Sequence, residues 1–253
     1  MIVEDMIIQK HQEIALDTFE MVLSGQEIPL QIQSGQFVHV QIGDGKHHVL
    51  RRPISIADID RVAQTVTLIY HVTGDGTDWL SSRRLGETLN VLGPLGNGFD
   101  LHDIAGDTIL IIGGGVGVPP LYHLTKQLIP HYHVIVVLGF ATGEAVFYED
   151  DFRRLAETYV ATDDGSYGYH GVVTDIVKQL ERDYQHYYAC GPTPMLQAVQ
   201  TQLAGTPGHL SFEERMGCGI GACFACVCEA RNDKGYVKIC QDGPVLRADE
   251  VML

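Results

Sequence analysis

The sequence predicts three modules in series: an antiparallel β-barrel over residues 1–102, an α/β domain with a parallel sheet over 103–207, and a small cysteine domain over 208–253. Three observations carry this expectation. Glycine-bearing turns separate short strand-like runs in the first hundred residues. Apolar strands then alternate with amphipathic helices, the pattern of a parallel sheet covered on its faces. The last segment has few apolar residues and most of the cysteines. With 253 residues, 45% of them hydrophobic, the chain is long enough for two cores and an appendage.

In the first module, strands are expected at 37–42, 65–72 and 88–92, punctuated by Gly43-Asp44-Gly45 and Gly74-Asp75-Gly76. One short helix is expected at 77–84, capped by Thr77. Arg51-Arg52-Pro53-Ile54-Ser55 joins a rigid proline to guanidinium and hydroxyl groups, a clamp suited to a phosphate-bearing cofactor. Taken alone, it also reads as a surface basic pair beside a turn.

In the second module, strands are expected at 108–112, 134–139, 159–162 and 187–190, and helices at 119–129, 150–157, 172–180 and 194–203. Gly113-Gly114-Gly115-Val116-Gly117 follows a buried strand and precedes a helix. Its glycines allow close backbone approach, and the helix start offers unpaired N–H groups to an anion. Pro119 and Pro120 suit a first helical turn, where no N–H is needed. No Lys-Ser/Thr follows, so this is not a P-loop. A glycine turn alone is also an ordinary strand–helix connector. A second turn, Cys190-Gly191-Pro192, ends the last apolar strand, so both turns belong at the carboxyl ends of parallel strands, where one nucleotide touches both. The expected contacts are Gly113, Gly114, Gly115, Gly117, Cys190, Gly191 and Pro192. No arginine stands where a 2'-phosphate would need one, and Glu144 supplies an acid instead, which favours NAD over NADP.

In the third module, Cys218, Cys223 and Cys226 have the C-x4-C-x2-C spacing of plant-type [2Fe-2S] ligation, with Cys240 as the fourth ligand. Small residues between them let backbone N–H groups approach the sulfurs. Cys228, at Cys-x-Cys spacing in an extended segment, points away from Cys226 and reads as a packed thiol. Structural zinc is an alternative, though its ligands usually come as two short pairs rather than a triplet and a lone partner. Disulfides are a further alternative, tied to secretion.

Lys and Arg total 17 against 32 Asp and Glu, a net charge of −15, which repels nucleic-acid backbones and anionic membranes. Acidic residues near the N-terminus stand where a signal peptide would carry a basic region, so a soluble, cytoplasmic protein is expected.

A barrel, a nucleotide domain and Arg-Pro-Ile-Ser in this order resemble the ferredoxin-NADP reductase superfamily, in which the barrel carries FAD or FMN. The run from Ser211 to Cys228, followed by Cys240-Gln241-Asp242-Gly243-Pro244-Val245, is similar to the electron-transfer subunit family of dihydroorotate dehydrogenase B, as is Ala161-Thr162-Asp163-Asp164-Gly165-Ser166-Tyr167-Gly168. The resemblance implies FAD, a [2Fe-2S] cluster and NAD. It also implies a heterotetramer with an FMN-containing partner that oxidises dihydroorotate to orotate in pyrimidine biosynthesis. Carried over, it assigns Arg52, Pro53, Ile54, Ser55, Ile69, Tyr70, His71, Gly76 and Thr77 to FAD, with Ser55 near the flavin's reactive edge and Cys190 near the nicotinamide. Two positions depart from the family pattern: His71 replaces an arginine, and Asp75 replaces a basic residue. Neutral imidazole holds a pyrophosphate less firmly than guanidinium.

Electron counting orders the centres. A [2Fe-2S] cluster passes one electron at a time and NAD accepts a hydride, so a flavin stands between them. No nucleophile or general base is required of the protein. A reductase component of an oxygenase or hydrogenase system is the rival enzymatic reading, and a metal-binding nicotinamide sensor the non-enzymatic one.

Overall fold

In the computed structural model of the chain, which describes residues 1–102, 104 and 106–253, six strands close into an antiparallel barrel. They are β1 (Ile2–Ala15), β2 (Thr18–Ser24), β3 (Phe37–Val40), β4 (Arg52–Asp60), β5 (Thr65–His71) and β6 (Thr88–Leu95), with α1 (Ile28–Gln31) and α2 (Asp75–Ser81) in the connections. Around the barrel the order is β1-β2-β5-β4-β3-β6. The two-residue period of a strand fills the interior: Val66, Leu68 and Tyr70 of β5 point inward with Met21, Leu23, Val38 and Val91. Ile69, on the outward face of β5, is buried as well, because the second module packs over it.

The expected strands correspond to β3, β5 and β6. Strands β1, β2 and β4 escaped the sequence reading; in β1, bulges at Ile8/Lys10 and Glu13/Ala15 break the alternation that marks a strand. The expected helix at 77–84 is corrected: α2 begins at Asp75, with Gly74 at the cap position. The Thr77 hydroxyl lies inside the first turn and accepts from the backbone nitrogens of Thr73 (2.9 Å) and Gly74 (3.3 Å), a backward rather than a forward cap.

The second module is a sheet in the order β10-β9-β8-β7-β11-β12-β15. Its strands are β7 (Thr108–Gly114), β8 (His133–Phe140), β9 (Glu157–Thr162), β10 (Tyr169–His170), β11 (His186–Cys190), β12 (Gly208–Ser211) and β15 (Val245–Arg247). All neighbours pair in parallel except β15, which runs antiparallel to β12. Helices α3 (Pro119–Leu128), α4 (Glu149–Arg153), α5 (Val173–Leu180) and α6 (Thr193–Gln202) cover it. Strands with both faces covered read as continuous apolar runs, and Ile109–Ile112 and Val134–Leu138 are buried throughout. The expected helix at 150–157 is shorter. It stops at Arg153, the amides of Leu155 and Ala156 bond back to the Phe152 carbonyl, and Glu157 opens β9.

Residue 103, the expected start of this module, lies outside the described residues. The segment from 208 onward differs from expectation. It contributes β12 and β15 to the sheet, besides its own hairpin of β13 (Val227–Glu229) and β14 (Tyr236–Lys238). Its buried residues Cys226, Val237, Ile239, Cys240 and Leu246 belong to the same apolar core as Leu110, Ile112 and Tyr187 of the sheet. The cysteine segment is therefore built on the sheet's core, not around a metal centre alone.

Polar ties set the barrel against the sheet. Asp58 of β4 meets His123 (2.7 Å) and Lys126 (2.9 Å) of α3, Tyr148 donates to Glu20 of β2 (2.7 Å), and the Leu16 amide donates to the Glu144 carbonyl (2.9 Å). Burial opposes ionisation of Asp58, but the bonds from His123 and Lys126 prevail and hold its carboxyl below the usual range.

Candidate functional site

A cleft of about 660 Å³ opens where all three parts of the chain meet. One wall is the barrel, with Arg52, Pro53, Ile54 and Ser55 of β4 and Ile69, Tyr70 and His71 of β5. Because β4 and β5 are close in the barrel, two distant sequence motifs form one surface. Thr77 closes one end, Val116 of the glycine turn reaches in from the sheet, and Phe212–Met216 form the opposite wall. The volume lies within the roughly 300–1,000 Å³ of small-molecule sites.

The two arginines of the clamp have separate tasks. Arg51 is committed to the barrel wall, donating to the His39 carbonyl (3.3 Å), the Asn90 carbonyl (3.0 Å) and the side chains of Gln41 (3.1 Å) and Asn90 (2.5 Å). Among the described residues the Arg52 guanidinium makes one bond, to the Leu50 carbonyl (2.7 Å), and it lies against Gly76, where a Cβ would collide with it. Glycine at 76 thus leaves room for the positive group at the cleft end. Tyr70 stacks on Phe19 at 5.9 Å and its hydroxyl meets His11 Nε2 at 2.8 Å, so its O–H is already engaged within the barrel. His71 Nδ1 is engaged with the Thr18 hydroxyl at 3.2 Å.

The glycine turns lie beside this cleft. Pairing of β7 with β11 sets Gly113 opposite Cys190, and Met195 packs over Gly114 and Gly191. Of the turn, Val116 lines the cleft, while Gly113, Gly114, Gly115, Gly117, Cys190, Gly191 and Pro192 stand outside its wall. Cys190 is wholly buried; burial and the Glu213 charge push its thiol well up, against a bond from Ser211. It stays protonated near neutrality.

Glu213, which no sequence motif marks, faces the cleft. Its side chain lines the cleft and stays open to solvent, while the protein packed around it disfavours the charged form and raises the carboxyl to about 7. An acid just after an apolar strand end was the available signal.

The Phe212–Met216 wall runs directly into the cysteine loop. Cys218 and Cys223 form one pair, each thiol accepting from the other's amide at 3.3 and 3.5 Å. Cys226 and Cys240 form the second: the Cys240 amide donates to Cys226 Sγ (3.5 Å), and Cys240 Sγ accepts from Gly221 (3.2 Å). Burial opposes ionisation of Cys218, yet the amides of Ile220, Cys223 and Ala222 and the Cys223 thiol lower it to about 6. Among the described residues no three His, Cys, Asp or Glu side chains converge on a single-ion site. Two thiol pairs ringed by amides fit a two-iron centre, in which each iron takes two protein ligands. Cys228 stands apart on β13, its thiol raised to about 12 by burial and by Glu214.

Residues 213–252 match the family described as the iron-sulfur cluster binding domain of dihydroorotate dehydrogenase B, and 111–201 match the oxidoreductase NAD-binding domain. A dihydroorotate dehydrogenase B (NAD(+)) electron transfer subunit from Fusobacterium nucleatum is 45% identical, with 98% of each chain covered. One from Geobacillus sp. strain WCH70 is 50% identical over 99% of this chain and 98% of its own. The chain belongs to the dihydroorotate dehydrogenase B electron-transfer subunit family. Among solved structures, that of an NADH-dependent reduced ferredoxin-NADP oxidoreductase, described for flavin-based electron bifurcation, superposes with a TM-score of 0.87 at 30% identity, covering 97% of this chain and 89% of that one. A ferredoxin reductase of carbazole 1,9a-dioxygenase shares the fold, at a TM-score of 0.68 and 21% identity. Membership in this family accounts for a barrel cleft, nucleotide turns and paired thiols held on one frame. It also decides between the two-iron and zinc readings of the cysteines in favour of the iron–sulfur centre.

Proposed function

We propose that this chain carries electrons released by dihydroorotate oxidation in an FMN-containing catalytic partner to NAD, by way of a [2Fe-2S] centre and FAD, in de novo pyrimidine biosynthesis. The observation that carries the reading is the single wall, Phe212–Met216, which lines the cleft and leads straight into Cys218. The bound groups supply one-electron transfer at the iron and hydride transfer at the flavin.

The chain's own residues bind and orient. Arg52, with Gly76 and Thr77, grips the flavin's phosphate-bearing side and His71 meets its pyrophosphate, while Pro53, Ile54, Ile69 and Tyr70 flank the flavin and Ser55 stands near its reactive edge. Gly113, Gly114, Gly115 and Gly117 bring backbone N–H groups to the nucleotide, and Cys190, Gly191 and Pro192 flank the nicotinamide. Glu144, exposed at the end of β8, selects NAD by repelling a 2'-phosphate. Cys218, Cys223, Cys226 and Cys240 hold the cluster. No residue acts as nucleophile or base; catalysis is positioning.

The partner docks over the cysteine loop, where Ile220 (46% exposed) and Phe224 (64% exposed) present apolar surface. A complex of two chains of each kind is the proposed assembly. A cytoplasmic setting agrees with six unbridged cysteines. No helix among the described residues is long and apolar enough to cross a membrane.

The test is the visible spectrum of anaerobically purified protein with iron, sulfide and released-flavin analysis, followed by mixing with the catalytic partner. Flavin bands, equal iron and sulfide, and dihydroorotate-dependent NAD reduction bear the proposal out. Zinc without flavin overturns it, and NADH oxidation that only an oxygenase component draws off assigns the chain to the rival system. Ile220→Asp should weaken the complex; an unchanged complex moves the interface elsewhere.

A further inference from the structure

His39 is buried to 1% exposure on β3, and neither the flavin contacts nor the thiol set accounts for it. Its neighbour on the same strand face is Phe37, 5.7 Å away ring to ring, which lines the cleft. On its other side the imidazole meets the cysteine loop. A Cβ on Gly219 would stand 2.5 Å from His39 Cε1 and 2.8 Å from each ring nitrogen. Gly219, the residue after Cys218, has φ +70°, so the loop there combines a left-handed backbone with a missing side chain, and the imidazole occupies the vacated space.

Nε2 of His39 is buried with no hydrogen-bond partner among the described residues. Leaving a buried donor or acceptor unpaired is costly, so a persistent orphan beside a ligand loop points to a partner that arrives with the centre. We infer that His39 is a positioning residue of the iron–sulfur centre, its Nε2–H donating to a sulfur of the cluster or of Cys218 and tying the flavin-holding barrel to the iron-holding loop. This rests on the cluster reading above. The influence of an imidazole N–H on a sulfur is that of a hydrogen bond. A hydrogen bond to sulfur favours the more negative, reduced state and raises the potential.

The test uses the whole protein, purified anaerobically, as His39→Leu, His39→Gln and His39→Asn. Glutamine places an N–H near the position of Nε2, and asparagine near that of Nδ1. The readouts are iron and sulfide content, the EPR signal of the reduced centre and its midpoint potential by dye-mediated titration. The expected result is a lower potential and an altered EPR signal in His39→Leu with iron and sulfide retained, reversed by Gln and not by Asn. A loaded Leu variant with unchanged potential and EPR signal overturns the inference. If Leu loses the centre, recovery with Gln alone supports it, and identical behaviour of Gln and Asn overturns it. Wild-type protein without iron and sulfide would refute the cluster reading itself, a separate outcome.

Discussion

Gly117 is pressed against the backbone of Cys190: a Cβ on Gly117 would collide with the Cys190 carbonyl and stand 2.5 Å from the Gly191 nitrogen. The contact locks the glycine turn after β7 to the turn after β11, so one nucleotide can touch both. Gly117→Ala must push them apart. The expected result is a fall of about tenfold or more in kcat/KM for NAD, equivalent to ~1.4 kcal/mol, with flavin content unchanged. Steady-state kinetics beside a flavin assay checks this; normal kinetics would place the nucleotide elsewhere.

Arg52 and Arg215 both line the cleft, on opposite walls, and on the barrel side Arg52 is the guanidinium within reach, since Arg51 is spent on the barrel wall. Charge-assisted hydrogen bonds contribute roughly 1.5–3 kcal/mol, so Arg52→Ala should weaken flavin retention by about 10- to 100-fold. Flavin fluorescence released on gel filtration measures it. Retention at the wild-type level would move the phosphate contact to another residue.

The cysteines separate cleanly into two groups. Cys226→Ser should abolish the iron–sulfur absorbance, because Cys226 lies within a thiol pair. Cys228→Ser should keep it, because that thiol sits apart against Glu214. Iron and sulfide analysis of both variants decides, and loss of the centre in Cys228→Ser would exchange the two assignments.

His186, 3% exposed, has Nε2 3.0 Å from His209 Nδ1; burial first, then the His209 and Arg247 charges, lower it to about 4. Burial lowers His209 too. The unfolded chain protonates His186 near pH 6.5, whereas the folded chain resists until about 4. Stability is therefore complete above pH 6.5 and falls as pH drops through that window, by up to about 3 kcal/mol for His186. Denaturant midpoints at about pH 7.5 and 5 should show the drop, and His186→Phe should reduce it. Equal pH dependence in the variant would assign the acid sensitivity to other groups.

Much of the frame was legible because its signals are local. The buried runs of β7 and β8, the two prolines opening α3 and the glycine turns declare themselves within a few residues. β1 did not, since its bulges break the alternation, and helix α4 was read too long because its stop lies in the backbone's return to Phe152. The largest departure was the cysteine segment: its strands β12 and β15 complete the sheet, and pairing between strands so far apart in the chain leaves no local trace.

The amino-acid order by itself determined the chemistry on offer: four thiols at iron–sulfur spacing, glycine turns at strand ends and an arginine–proline clamp, each a short-range pattern whose function follows from residue type. Only the tertiary structure decided which groups face one another. It gave Arg51 to the barrel and Arg52 to the cleft, made Phe212–Met216 a shared wall, and set His39 beneath Gly219. Such contacts depend on barrel closure and sheet order, which are settled by burying apolar faces together rather than by any residue's neighbours in the chain.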